Sequence, residues 1–156
     1  MIIVLFGQPN AGKTTLAMGI EKRFMHTHNI DGDEFRMVFN NTDYSKEGRI
    51  TNLKKAVDCG YYAISTGLCA NLVYSMVFPY KETRDYLREV MPDAVFVYLH
   101  YDSPRGREKN HVEDFDMPSE QEAVYLNTEQ LTIDQCLQKI IQAVAQKNQS
   151  GAKYTM

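Results

Sequence analysis

The chain alternates short, wholly apolar runs with longer stretches in which apolar residues recur every three or four positions. "IIVLF" at residues 2–6 is continuous and ends at Gly7, as a strand buried on both faces of a parallel sheet requires. Residues 12–24 follow with Leu16, Ile20 and Phe24 on one stripe, which predicts a helix. A short second strand is expected over residues 26–31, ending in the acidic loop "DGDEFR". A helix over 49–63 carries Ile50, Leu53, Val57 and Tyr61, and a third strand over 71–78 is stopped by Pro79. A helix over 83–91 is closed by Pro92. Residues 94–100 and 123–127 give the fourth and fifth strands. A last helix over 132–145 turns Cys136, Leu137, Ile140, Ile141 and Val144 inward.

Strands that alternate with helices imply right-handed crossovers, hence a three-layer α/β domain with a five-stranded parallel sheet. Residues 1–147 are expected to form one domain, since 156 residues suit a single core. Residues 148–156 lack an apolar stripe and are expected to fray. Residues 101–122 break the alternation: they are polar, charged and contain two prolines, yet join two buried strands. A segment of that kind reads as a lid or binding loop, with a plain connector as the alternative.

Charge narrows the partners. Seventeen Lys and Arg against twenty Asp and Glu give a net charge of −3 with no basic run, so neither nucleic acid nor an anionic membrane is expected. No apolar stretch approaches membrane-spanning length, and the N-terminal run lacks the features of a signal peptide. Three widely spaced cysteines suit reduced thiols, so a cytoplasmic protein is expected, with a homodimer compatible.

The chemistry is concentrated in "GQPNAGKT", which matches G-x-x-x-x-G-K-[ST] between an apolar strand and a helix start. Backbone N–H groups of Gly7, Gln8, Pro9's neighbours, Asn10, Ala11 and Gly12, with Lys13, Thr14 and Thr15, would surround a triphosphate at the helix N-terminus. Lys13 would bridge the β- and γ-phosphates and Thr14 would offer its hydroxyl to Mg²⁺. The spacing is not that of a dinucleotide fold. No N-K-x-D stretch marks a GTPase, so a short chain with this loop, an acidic second loop and a polar lid reads as a small-molecule kinase. Asp33 could then orient or deprotonate an acceptor hydroxyl, Asp31 support it, and Arg36 pair with an acceptor anion, while Glu34 is left at the surface.

Four stretches carry a resemblance to a known family. "GQPNAGKTT", "IDGDEFR", "YSKEGRITNLKKA" and "MVFPYKETRD" are similar, in order and separation, to the signatures of the adenylylsulfate kinases. That resemblance implies a P-loop fold like that of nucleoside monophosphate kinases. It implies transfer of the γ-phosphate of ATP, with Mg²⁺, to the 3′-hydroxyl of adenosine 5′-phosphosulfate, a small-molecule nucleotide. It further implies that Lys13 and Asp33 are catalytic, and that Arg36, Arg49 and Asn52 hold the acceptor's phosphosulfate and ribose. Tyr44 would pack on the acceptor base, Val77 and Phe78 would line the same site, and Arg105, Arg107 and Phe115 would come from the lid, Phe115 facing the base from the other side. Arg49 and Asn52, three apart, share a helical face independently of any resemblance. Where many members carry a phosphorylatable serine this chain has Phe78, so transfer is expected to be direct. Its lid is also shorter and different in sequence, which leaves other acceptors open: a cytidine nucleotide bearing a small anion, or a polysaccharide precursor. A non-catalytic nucleotide-binding module is the remaining alternative.

Overall fold

The computed structural model describes residues 1–151. Strands β1 (Ile2–Phe6), β2 (Thr27–Asp31), β3 (Asn71–Ser75), β4 (Val95–His100) and β5 (Val124–Asn127) form one sheet in the order β2-β3-β1-β4-β5. Every pairing is parallel. Helices α1 (Lys13–Arg23), α2 (Gly32–Val38), α3 (Lys46–Ser65), α4 (Lys81–Val90) and α5 (Ile133–Gly151) follow the strands.

Alternation along the central strands divides the core into two. Ile3 and Leu5 of β1 face one way and pack with Leu16, Ala17 and Ile20 of α1 and Leu137 and Ile140 of α5. Val4 and Phe6 face the other way, against Leu53, Ala56 and Val57 of α3 and Leu87 of α4. Three layers result because a strand apolar on both faces needs a helix on each side; each fully buried large side chain contributes about 1.5–3 kcal/mol. Gly60 lets α3 lie close over β3: a Cβ there would run into the Tyr74 ring, whose hydroxyl donates to the Ala56 and Val57 carbonyls at 3.3 and 3.1 Å.

Several element bounds differ from the sequence expectation for local reasons. The acidic loop continues into α2, because the Asp31 carboxylate accepts from the N–H groups of Asp33 and Glu34 and so caps a helix. α3 begins at Lys46, where the Ser45 hydroxyl accepts from Gly48 N at 3.1 Å. β3 ends at Ser75; Met76 to Phe78 stay apolar but leave the sheet, and Phe78 adopts φ 43°. α5 continues to Gly151 instead of fraying from 148, and residues 152–156 lie outside the described part. Among the described residues no helix is long and apolar enough to cross a membrane.

Candidate active site

The C-terminal ends of β1, β2 and β3 open into a cleft of about 880 Å³. Gly7 leaves β1 with φ 146°, and a Cβ there would strike the Leu99 carbonyl, so only glycine lets the loop turn against β4. Lys13 opens α1 and folds back, its Nζ donating to the carbonyls of Gly7 at 3.0 Å and Gln8 at 2.8 Å. Burial lowers its pKa to about 8, against the opposing pull of the Asp31 and Asp33 carboxylates.

Asp31, at the end of β2, ties together α1, α2 and β3. Its Oδ1 accepts from Asp33 N at 3.0 Å, and its Oδ2 accepts from Thr14 Oγ1 at 2.8 Å and Ser75 Oγ at 3.0 Å. The cap on α2 brings Asp33 to the cleft wall with its side chain 87% exposed and 4.0 Å from the Arg107 guanidinium. One turn later, Arg36 Nη1 donates to Asn41 Oδ1 at 2.7 Å and Asp43 O at 3.0 Å, fastening the loop before α3.

That loop presents Tyr44. The guanidinium of Arg36 lies 4.2 Å and that of Arg49 5.3 Å from its ring centroid, and Arg49 Nε donates to Tyr44 O at 3.0 Å. Asn52 shares the α3 face of Arg49, is 2% exposed, and its Oδ1 has no partner among the described residues although it borders the cleft. Met76, Val77, Phe78 and Pro79 close the floor.

The segment 101–122 is an ordered strap fastened at both ends. Asn10 Nδ2 donates to Arg105 O at 2.9 Å while Arg105 Nη1 donates to Asn10 O at 3.1 Å, and Tyr101 Oη donates to Pro9 O at 2.8 Å. Further along, Asp116 N donates to Pro79 O and Asp116 Oδ2 accepts from Lys81 N, both at 2.8 Å. Arg105, Arg107, Lys109 and His111 border the cleft. His111 Nε2 lies 2.9 Å from the Tyr101 hydroxyl. Phe115 corrects an expectation: its ring packs 5.9 Å from Tyr98 against the core and is absent from the cleft lining, because an apolar ring gains more from the core than from a polar groove. Sequence reasoning missed Ser75, whose identity inside an apolar strand carries no motif.

The cleft is cationic in an acidic protein: among its lining residues, Lys13, Arg36, Arg49, Arg105, Arg107 and Lys109 stand against two acids, Asp31 and Asp33. Two anionic ligands are what such a surplus can hold, one at the phosphate loop and one beside Tyr44.

Comparison with known proteins agrees with this geometry. A family model described as adenylylsulphate kinase matches residues 1–114. The adenylyl-sulfate kinase of Staphylococcus carnosus (strain TM300) is 24% identical over 166 residues, covering 91% of this chain and 82% of the relative. That of Staphylococcus epidermidis (strain ATCC 12228 / FDA PCI 1200) is 28% identical over 104 residues, 64% of this chain but only 51% of the relative. The structure of the Mycobacterium tuberculosis APS kinase in complex with AMPPNP and APS superposes with TM-score 0.75 at 20% identity, over 92% of this chain and 97% of that one. An unliganded sugar kinase from Janibacter sp. HTCC2649 gives 0.73 at 17%, over 92% and 93%. Likeness at these identities shows the fold.

Proposed function

The chain belongs to the adenylylsulphate kinase family, and we propose that it transfers the γ-phosphate of ATP to the 3′-hydroxyl of adenosine 5′-phosphosulfate or a closely similar nucleotide. The observation that carries this reading is the position of Asp33, whose exposed carboxylate stands in the same cleft as Lys13 and Arg107 on one side and Arg36 and Arg49 on the other.

Each residue then has a task set by its surroundings. Lys13 exchanges two backbone carbonyls for the β- and γ-phosphates, and the loop N–H groups hold the remaining oxygens. Thr14 and Asp31 offer hard oxygens, the donor type that Mg²⁺ takes, so the residues present fit that ion. Bound with the triphosphate, Mg²⁺ would neutralise charge on the β- and γ-phosphates. Asp33 receives the proton of the acceptor hydroxyl as its oxygen bonds to the γ-phosphorus and the bridging P–O bond to ADP breaks. Arg107 offsets the charge on the group in transit. Arg36 and Arg49 hold the acceptor's anionic end, and the unpartnered Asn52 Oδ1 accepts from one of its hydroxyl or amino groups.

A second reading keeps the chemistry and changes the acceptor. The position of Phe115 favours it, since the acceptor base would meet Tyr44 without a second aromatic from the strap. Coupled ADP release over a panel of acceptors separates the two: the first reading requires adenosine 5′-phosphosulfate to turn over well above the rate with water, and equal rates would sink it.

A further inference from the structure

The acid that meets Thr14 stands on β2, the edge strand, while the phosphate loop springs from β1, with β3 between them. Ser75, the last residue of β3, fills the gap. It pairs in register with Asp31 and is 2% exposed. Its Oγ lies 3.0 Å from Asp31 Oδ2 and 3.0 Å from Oδ1 of Asn29, which sits two residues before Asp31 and so on the same face of β2.

Proton counting orders this chain of contacts. A hydroxyl has one proton to give, and an ionised carboxylate can only accept. One proton cannot serve both oxygens: with Ser75 giving it to Asp31, the Asn29 amide turns over to present its NH₂ group where Oδ1 stands. Thr14 gives its single proton to the same Oδ2, which leaves the lone pairs of its oxygen free for the cleft. We infer that Asn29 and Ser75 are positioning residues for the divalent cation: they fix Asp31 so that the Thr14 hydroxyl is held as a lone-pair donor. Ser75 borders the cleft at the end of β3, and Asn29 stands behind it, outside the cleft lining. The partners behind a ligand commonly change metal affinity by about 10–100-fold when removed.

This inference rests on the ATP- and Mg²⁺-dependent reading above. It is tested by titrating the whole protein with ADP, once with Mg²⁺ and once with a chelator, and comparing the two affinities. In the unsubstituted protein Mg²⁺ tightens ADP binding; if it does not, the metal-dependent reading itself fails, and the inference with it. Ser75→Ala removes one oxygen and should weaken Mg²⁺·ADP binding about tenfold with metal-free ADP binding unchanged. Ser75→Thr, which retains the hydroxyl, should restore most of the difference. Asn29→Ala, at a half-buried position, should give the same split at smaller amplitude and serves if Ser75→Ala does not fold. Equal losses with and without metal, or no loss in Ser75→Ala, would overturn the inference.

Discussion

Gln8 and Val112 exchange two hydrogen bonds across 104 residues of chain: Gln8 Nε2 donates to Val112 O at 2.9 Å, and Val112 N donates to Gln8 Oε1 at 3.0 Å. A side-chain amide here imitates a neighbouring strand and sews the strap to the phosphate loop. Each such bond contributes roughly 0.5–1.5 kcal/mol net. Gln8→Ala should therefore speed amide exchange at Val112 by about tenfold and quicken tryptic cleavage after Arg105, Arg107 or Lys109. Unchanged cleavage would mean that the Asn10 and Tyr101 contacts hold the strap without it.

Asp33→Asn keeps size and removes the proposed proton acceptor. Turnover should fall by about a hundredfold or more, while ADP affinity stays within roughly twofold, because no phosphate-loop contact depends on Asp33. Rapid-quench measurement of the transfer step checks this, and near-normal turnover would remove Asp33 from the chemistry.

Lys13 gives nucleotide binding a pH dependence with a defined sign. In the free protein its ammonium is present below about pH 8 and lost above it, because burial disfavours the charge. A bound polyphosphate raises that pKa, so binding should take up a proton above about pH 8, and affinity should decline as pH rises through that value. Calorimetry in two buffers of different ionisation enthalpy measures the uptake, which Lys13→Met should abolish.

Arg84 ties the cleft floor to the strap. It is fully buried, donates to Phe78 O at 2.9 Å and Asp116 O at 2.7 Å, and lies 5.2 Å from the Phe6 ring centroid. Arg84→Met leaves two carbonyls unpaired, at a cost of about 2–4 kcal/mol. The melting temperature of a domain this size should then drop by roughly 5–15 °C, read by differential scanning calorimetry. A smaller drop would show that water replaces the guanidinium.

The phosphate loop was legible because its signal is local: an apolar strand, two glycines and a Lys-Thr pair within thirteen residues of one another. The five strands and their order of helices followed from periodicity for the same reason. α2 was not legible, since "DGDE" reads as a turn until Asp31 is seen capping the next residues. β3 looked too long because Met76 to Phe78 keep the apolar pattern after the ladder has ended. Ser75 and the Gln8 contact were out of reach altogether, because their partners lie 44 and 104 residues away and only the sheet order and the strap bring them together.

Asp31 ends a strand with a neighbour on one side only, whereas the strand that launches the phosphate loop has one on each side. Local opening starts where pairing is one-sided. Peeling β2 away would carry off Asp31 and the start of α2 with Asp33, yet leave the loop gripped by α1 and the strap. On heating, the protein would therefore fall silent with its phosphate loop still folded, an inert state that precedes the unfolded chain.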